Sequence, residues 1–190
     1  MKSPLKLTIC DLNSSVLDTF SAEFQDINEV SVVEGDITKF KCDALITAGN
    51  SFGDMGGGVD KAIDDSFNGE AQKLVQKNIT DTFFGELPVG TALTVYPNKK
   101  RPALIYAPTM RIPGHIPNTI NPYLALRAAL IVAIQNKFEH VVCSAFGCGI
   151  GGVSPEDSAE QMRTAFLIIA FNQWRKIVHP AQAPYAMRQC

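Results

Sequence analysis

Two glycine-rich segments carry the residue types that bind an anionic group through the backbone. The first is "GNSFGDMGGGVD" at residues 49–60, and the second is "GCGIGGVSP" at residues 147–155. Glycine has no side chain to hold a ligand away, and backbone N–H groups donate hydrogen bonds to phosphate oxygens. Either segment alone is equally compatible with a tight strand-to-helix turn. Together they favour a site for a pyrophosphate, which two loops can hold from opposite sides.

Two common nucleotide-binding motifs are disfavoured. Gly147, Gly149 and Gly152 fit the pattern G-x-G-x-x-G of dinucleotide-binding folds. That fold also needs an acidic residue at the end of a second strand about 20 residues further on, whereas "FLIIAFNQW" at residues 166–174 continues a predicted helix. The first segment lacks the Gly-Lys-Ser or Gly-Lys-Thr ending of a P-loop, which disfavours hydrolysis of a nucleoside triphosphate.

Composition indicates a globular domain of ordinary size. The chain has 190 residues, of which 46% are hydrophobic and 19% charged, and its formal net charge is −2. This charge disfavours bulk attraction to nucleic acid. The N-terminus has no long apolar core, so no signal peptide is expected, and no apolar run reaches the length that spans a membrane. We expect residues 1–178 to form a single domain and residues 179–190 a loosely held tail.

The cysteines and histidines show no metal-binding pattern. The five cysteines are scattered, and no two of them form a C-x-x-C pair. The three histidines show no ligand spacing either. We therefore expect reduced thiols in a cytoplasmic protein, with no disulfide framework, no metal site and no cofactor.

Strands alternating with helices are predicted around the two glycine segments. The predicted strands are "KLTICDL", "VSVVEGD", "DALITAG", "TALTVYP", "ALIYAPT" and "HVVCSAF". The predicted helices are "VLDTFSAEF" with Ser14 or Ser15 as its cap, "VDKAIDDSF", "EAQKLVQKNI", a long apolar helix from Asn121, and one that begins at Ser154. This order predicts a three-layer α/β/α sandwich with a central mixed β-sheet, whose ligands bind at the carboxyl ends of the strands.

The chain resembles the macrodomain family of ADP-ribose-binding modules, including its Appr-1-p-processing members. Three stretches in the first half carry the resemblance: Gly35-Asp36-Ile37-Thr38, Thr47-Ala48-Gly49-Asn50 and Gly56-Gly57-Gly58-Val59-Asp60. The stretch "SAFGCGIGGVSP" is similar to the second phosphate loop of the family. The resemblance covers roughly residues 33–170, and it implies the same sandwich fold.

The resemblance implies a role for each residue around ADP-ribose. It implies that Asp36, with the backbone of Ile37 beside it, accepts a hydrogen bond from the adenine amino group, and a turn is the alternative role of Asp36. Asn50 would bind the distal ribose, although an Asx turn would also explain it. The residues implied to line the pyrophosphate are Gly57, Gly58 and Val59 on one side and Gly147, Cys148, Gly149, Ile150 and Gly151 on the other.

Asp60 is the implied catalytic carboxylate, together with Asn50. In the hydrolase members, an aspartate at the matching place is implicated in activating water, so Asp60 would act as a general base. The alternative is an acidic residue favoured in the first turn of a helix by the helix dipole. These two interpretations stay open at the level of the sequence.

The chain departs from the family pattern at several places. Thr47 stands where the family has an asparagine, and Gly151 stands where many hydrolases have an aromatic residue against the distal ribose. The closing strand of the family is nearly absent, and an N-terminal strand and helix are expected to replace the lost sheet edge. A proline-broken loop at residues 108–122 is expected at the rim of the site, where Arg111 meets a phosphate or no ligand at all.

Two classes of function follow. The first is binding of ADP-ribose, or of a protein or metabolite that carries it, with weak hydrolysis of O-linked ADP-ribose as the enzymatic version. The second is a non-catalytic macrodomain-like fold used for protein or RNA contacts, although the charge makes nucleic acid an unfavoured partner.

Overall fold

The structure is a computed structural model that describes residues 5–99, 102–176 and 179. Every strand and helix predicted from the sequence forms in it. The strands are β1 (Lys6–Asp11), β2 (Val30–Glu34), β3 (Ala44–Thr47), β4 (Leu93–Val95), β5 (Ala103–Tyr106) and β6 (His140–Cys143). The helices are α1 (Ser14–Phe24), α2 (Gly58–Ser66), α3 (Glu70–Phe83), α4 (Asn121–Gln135) and α5 (Pro155–Ala170), with short 3-10 helices at Ile37–Lys39 and Gln173–Lys176. Apart from residue 179, the predicted tail at residues 179–190 lies outside the described residues.

The strands form one mixed sheet in the order β2-β1-β6-β3-β5-β4. Neighbouring strands are parallel, except that β4 runs antiparallel to β5. The N-terminal strand β1 does not form an edge, because it lies between β2 and β6. It suits an interior position since both of its faces are apolar and buried, with Leu7 and Ile9 on one face and Cys10 on the other.

Helices cover both faces of the sheet. Helices α1, α4 and α5 pack on one face, against residues that include Ile9, Ile46 and Cys143. Helices α2 and α3 pack on the other face, against residues that include Leu45 and Leu104. Because side chains alternate along each strand, the same short apolar run supplies both cores. The predicted three-layer α/β/α sandwich with a central mixed sheet is therefore confirmed.

The helix starts show one agreement and one correction. Ser154 caps α5, since its hydroxyl accepts a hydrogen bond from the backbone N–H of Asp157 at 3.1 Å. The predicted cap of α1, Ser14 or Ser15, is wrong. The cap is Asn13, which has an extended backbone and whose Oδ1 accepts from the N–H of Ser15 at 3.1 Å. Both serines already lie inside the helix, whereas a cap must precede it.

The topology brings the two glycine loops together. The first loop follows β3 and the second follows β6, and these two parallel strands are hydrogen-bonded neighbours. Their carboxyl ends therefore lie at the same edge of the sheet. Strand β1, on the other side of β6, ends at the same edge with Asp11. This is the edge at which open α/β sheets bind ligands.

Candidate ligand-binding cleft

A cleft with two compartments runs along the carboxyl ends of β1, β6 and β3. The smaller compartment, of about 180 Å³, lies between the two glycine loops. The larger one, of about 500 Å³, extends to the ends of β1 and β2. The two compartments adjoin each other and share five of their lining residues, which are Gly58, Val59, Ser144, Ala145 and Gly149. Its size is in the range of sites for small molecules.

Nearly all the site residues suggested by the sequence line this cleft. Asp36 and Ile37 line the larger compartment. The smaller compartment is lined by Asn50, Gly57, Gly58, Val59, Asp60, Gly147, Gly149, Ile150 and Gly151. Cys148 lines neither compartment. Its thiol instead points at the carbonyl oxygen of Phe146, 3.8 Å away, and burial raises its pKa, so its side chain is not a candidate nucleophile.

The first glycine loop leaves open space for a ligand. A Cβ atom placed on Gly57 or Gly58 would meet no other atom within 4 Å. Gly58 has φ of +56°, which also favours glycine on backbone grounds. Helix α2 begins at Gly58 and has no side-chain cap. Its first backbone N–H groups are therefore available to an anion in the cleft.

Asn50 shapes the first loop. Its Oδ1 accepts hydrogen bonds from the N–H groups of Phe52 at 3.1 Å and Asp54 at 3.4 Å, and its Nδ2 donates to the carbonyl oxygen of Asp54 at 2.8 Å. This is the Asx-type turn that the sequence left open as one explanation of Asn50. The residue still lines the smaller compartment. A contact with the ribose would therefore compete with, or add to, these bonds.

The second glycine loop is held by its own backbone. The N–H of Gly152 donates to the carbonyl oxygen of Gly149 at 3.1 Å, and the N–H of Val153 donates to that of Gly147 at 3.0 Å. Gly147 and Gly152 have φ of +76° and +64°. In this loop, only the Cβ position of Gly149 is open, while Gly147, Gly151 and Gly152 have close neighbours. Gly149 therefore faces the cleft without obstruction.

The loop at residues 108–122 packs against the second glycine loop. The N–H of Ile116 donates to the carbonyl oxygen of Gly151 at 2.7 Å. A Cβ on Gly151 would lie 2.7 Å from the carbonyl oxygen of Gly147 and 3.2 Å from the side chain of Ile116. A larger residue does not fit there without a shift of the loop. Pro113, from the same segment, lines the smaller compartment, so the segment does rim the cleft.

Arg111, in the same segment, is engaged outside the cleft. Its guanidinium donates to both carboxylate oxygens of Glu86, at 2.6 and 2.9 Å, and lies 5.5 Å from the ring centroid of Phe52. Arg111 lines neither compartment. In the structure the guanidinium is therefore paired with Glu86 and does not face the space between the two glycine loops.

Asp60 sits at the start of α2 in a half-buried position. The hydroxyl of Thr47, which is fully buried, donates a hydrogen bond to Asp60 Oδ1. Burial raises the pKa of the Asp60 carboxyl to about 6, and the bond from Thr47 opposes this shift. A carboxylate with a pKa just below neutral is ionised at pH 7 and still basic enough to accept a proton.

Tyr106 supports this corner from strand β5, where it is the register partner of Thr47. Its buried hydroxyl donates to the carbonyl oxygen of Asn50 and accepts from the N–H of Asn50, both at 2.9 Å. Burial and the neighbouring charge of Asp60 raise the pKa of Tyr106, so it stays neutral. A Cβ on Gly49 would lie 2.1 Å from the Tyr106 hydroxyl, which explains the glycine before Asn50. Sequence reasoning missed this tyrosine, because a strand-end aromatic is usually core.

Asp36 presents a carboxylate at the larger compartment. One oxygen, Oδ1, accepts from the N–H of Thr38 at 2.9 Å and from its hydroxyl at 2.7 Å. These bonds lower the pKa of Asp36 below its usual range and start the short helix Ile37–Lys39. The side chain is exposed, and its other oxygen, Oδ2, lies 3.9 Å from the Nζ of Lys39. Asp36 is thus both a turn residue and a residue that lines the cleft.

Two further observations bear on the class of site. Within residues 5–99, 102–176 and 179, no group of three histidine, cysteine, aspartate or glutamate side chains is placed to hold a metal ion. Over the same residues, none of the helices has the length and apolar character needed to cross a membrane.

The comparisons with known proteins agree with this geometry. The family described as Macro domain matches residues 46–162. An uncharacterized protein of Aquifex aeolicus is 35% identical over 136 residues, which cover 70% of this chain and 78% of that protein. The solved Oceanobacillus iheyensis macrodomain with ADP has a TM-score of 0.63 at 20% identity and covers 82% of this chain and 90% of its own. A mutant of that macrodomain with ADPR has a TM-score of 0.61 at 23% identity and covers 70% of this chain and 73% of its own.

The two solved structures establish the likeness of fold, and the family match extends over more than half of the chain, including both glycine loops. On these grounds the chain belongs to the macrodomain family.

Proposed function

We propose that this chain binds ADP-ribose, free or attached to a protein or metabolite, in the two-compartment cleft. The observation that carries the proposal is the pair of glycine loops that face one compartment, with open space over Gly57 and Gly149. Open glycines and an uncapped helix start suit an anion that lies against the backbone. The solved macrodomain structures with ADP and ADPR support a diphosphate ligand in this fold.

In this proposal the ligand would extend through both compartments of the cleft. The adenine amino group would donate to Asp36 in the larger compartment, and the pyrophosphate would lie between the two glycine loops. The distal ribose would then reach Asn50 and Asp60 at the far end of the smaller compartment. This order uses both compartments, whereas AMP would fill only part of them.

We further propose weak hydrolysis of O-linked ADP-ribose, by release of an acetyl ester or of a mono-ADP-ribosyl group. The ionised Asp60 would accept a proton from the attacking water. The water oxygen would bond to the carbonyl carbon of the acetyl ester, or to the anomeric carbon of the ribosyl group, while the C–O bond to the leaving oxygen breaks and the protonated Asp60 returns the proton to that oxygen. Thr47 would hold the carboxylate in place, since its buried hydroxyl donates to Oδ1. The rate would be low, because Gly151 offers no side chain to orient the ribose and a displacement of about 1 Å can cost roughly 100-fold in rate.

A cytoplasmic location is part of the proposal. It is supported by the free thiols among the described residues, at Cys10, Cys42, Cys143 and Cys148, since reducing compartments keep thiols unpaired.

Calorimetric titration with ADP-ribose, AMP and NAD tests the binding proposal. We expect ADP-ribose to bind more tightly than AMP, because only ADP-ribose reaches both phosphate loops and the ribose end. Equal affinity for ADP-ribose and AMP would contradict the pyrophosphate site. A lack of binding to all three would instead favour a fold used for protein or RNA contacts.

Product release separates an enzyme from a binding module. The substrates are O-acetyl-ADP-ribose and an ADP-ribosylated protein, and the variants are Asp60→Ala and Asn50→Ala. If the wild type releases product and Asp60→Ala binds without reacting, the catalytic role of Asp60 holds. Equal rates of product release for all three proteins would contradict a catalytic role of Asp60. Binding without release by the wild type would make the chain a reader of ADP-ribose.

A further inference from the structure

We propose that Leu12, in the turn between β1 and α1, covers one face of the nucleotide base in the larger compartment. The N-terminal unit β1–α1 then forms part of the ligand site as well as part of the sheet. This inference rests on the proposed function, since it concerns the same cleft and the same ligand.

Leu12 is an exposed apolar side chain at the wall of the compartment. It is 78% exposed and lines the compartment together with Asp36. A single exposed leucine is ordinary on a protein surface, so its position is what matters. Among the described residues, no aromatic side chain lines this compartment, and its other large aliphatic residue at the base end, Ile37, is buried. Leu12 is therefore the side chain with the most apolar surface left to cover.

The turn holds Leu12 in this place without a ligand. Asp11 Oδ1 accepts hydrogen bonds from the N–H of Leu12 at 2.8 Å and from the N–H of Asn13 at 3.1 Å. Asn13 in turn caps α1. The backbone on both sides of Leu12 is thus fixed by local hydrogen bonds. A ligand that contacts Leu12 loses little affinity to ordering of this turn.

The turn that carries Leu12 is bonded to the turn that presents Asp36. The N–H of Gly35 donates to the carbonyl oxygen of Asp11 at 3.0 Å, and Asp11 is the register partner of Glu34. An apolar surface and a carboxylate therefore lie at the ends of adjacent strands. A flat ring with an exocyclic amine matches this pair, because the amine donates to the carboxylate and the leucine covers the ring. A sugar or a phosphate would gain nothing from Leu12.

Binding of ADP-ribose, AMP and ribose 5-phosphate to matched variants tests the inference. We expect Leu12→Ala to weaken ADP-ribose and AMP by the same factor, roughly five-fold, as for partial covering of one aliphatic side chain. The affinity for ribose 5-phosphate, which has no base, should not change. Leu12→Met should bind like the wild type, because it keeps a flexible apolar side chain of similar volume. Phe84→Ala is the control, since Phe84 is 97% exposed and lines neither compartment.

Leu12→Trp gives a second, direct readout. An indole against the base should bind ADP-ribose more tightly than leucine does and should change its fluorescence on binding, measured against the response of the wild type with Trp174. Unchanged affinity in Leu12→Ala, or an equal loss for ribose 5-phosphate, would overturn the role of Leu12 while ADP-ribose binding stands. Failure of the wild type to bind ADP-ribose would overturn the proposed function itself.

Discussion

The two glycine loops resemble each other in sequence, but Gly57 and Gly58 at the end of the first loop serve a different need from most glycines of the second. In the first loop, a Cβ atom on Gly57 or Gly58 would have no other atom within 4 Å, so their missing side chains leave space for a ligand. In the second loop, a Cβ on Gly147 would lie 2.8 Å from Val153, and one on Gly152 would lie 1.9 Å from the ring of His115. These glycines are needed by the protein itself.

The difference follows from what packs against each loop. The segment at residues 108–122 bonds the second loop at Gly151 and also the beginning of the first loop, at Gly49 and Ser51, whereas Gly57 and Gly58 lie beyond it at the start of α2. Only Gly149 in the second loop combines open space with a backbone outside the left-handed region. A glycine-rich pattern therefore marks two separate needs, one for the ligand and one for the fold. The following predictions test that division.

The largest effect is expected for glutamate in the open positions. Gly149→Glu and Gly57→Glu should each weaken ADP-ribose at least about 100-fold, because a carboxylate would occupy the space of the pyrophosphate and repel it. Their melting temperatures should stay near that of the wild type. Titration calorimetry and thermal melting measure the two effects. Gly114→Glu is the matched control, since it adds the same charge on a neighbouring loop at a position that does not line the cleft.

Normal binding by Gly149→Glu would mean that the ligand site lies elsewhere. A much lower melting temperature would mean that Gly149, like its neighbours, serves the backbone.

A loss of stability is expected in the covered part of the second loop. Gly147→Ala should lower the free energy of unfolding by about 2 kcal/mol, because alanine is strained at positive φ and its methyl group crowds Val153. Gly149→Ala should change it by less than about 0.5 kcal/mol. Denaturant unfolding of the two variants measures the contrast. Equal stabilities of the two variants would contradict the claim that the fold requires Gly147 but not Gly149.

Asp60 lies at the end of the first loop, and its ionised form should lower the free energy of unfolding at neutral pH. Its folded pKa of about 6 lies above the ordinary aspartate value of 3.8, so the folded state favours the protonated form. The contribution of Asp60 to stability is therefore greatest below pH 3.8 and is lost as the pH rises through 6. The free energy of unfolding of Asp60→Asn should exceed that of the wild type by on the order of 1 to 2 kcal/mol at about pH 8. At about pH 3.5 the two free energies of unfolding should be equal.

Denaturant unfolding across that pH range measures the difference, and a constant difference at all pH values would contradict the raised pKa. If the wild type hydrolyses O-acetyl-ADP-ribose, its rate should rise with pH and level off above about 6, as deprotonation of Asp60 requires.

The smallest effect is expected for Arg111. Arg111→Ala should change the affinity for ADP-ribose by less than about two-fold, because its guanidinium is paired with Glu86 outside the cleft and an exposed pair contributes little. Calorimetry at low ionic strength is the sensitive measurement. A loss of about ten-fold would show that a side-chain cation assists the backbone of the two loops.

Most of the fold and many site residues are predictable because their signals are local. Apolar runs such as "DALITAG" and "HVVCSAF" indicate buried strands, and the Ser154 helix start depends only on nearby residues. The cap of α1 is harder to assign among three adjacent polar residues, Asn13, Ser14 and Ser15, where the choice depends on which backbone turns first. The sequence suggests that β1 replaces a lost edge of the sheet, whereas β1 lies between β2 and β6. Strand order cannot be read from composition, because it depends on which strands pair in the folded protein.

By itself, the sequence determined the alternation of strands and helices, the two glycine loops and the family to which the chain belongs. The tertiary structure decided which groups meet across the sheet. The register of β3 and β5 pairs Thr47 with Tyr106, and the fold of α2 brings Asp60 to the hydroxyl of Thr47. The fold likewise sets Leu12 beside Asp36 and Ile116 against Gly151. Propensities and caps depend on neighbours in the chain, whereas these contacts join residues far apart in sequence and exist only once the strand order is set.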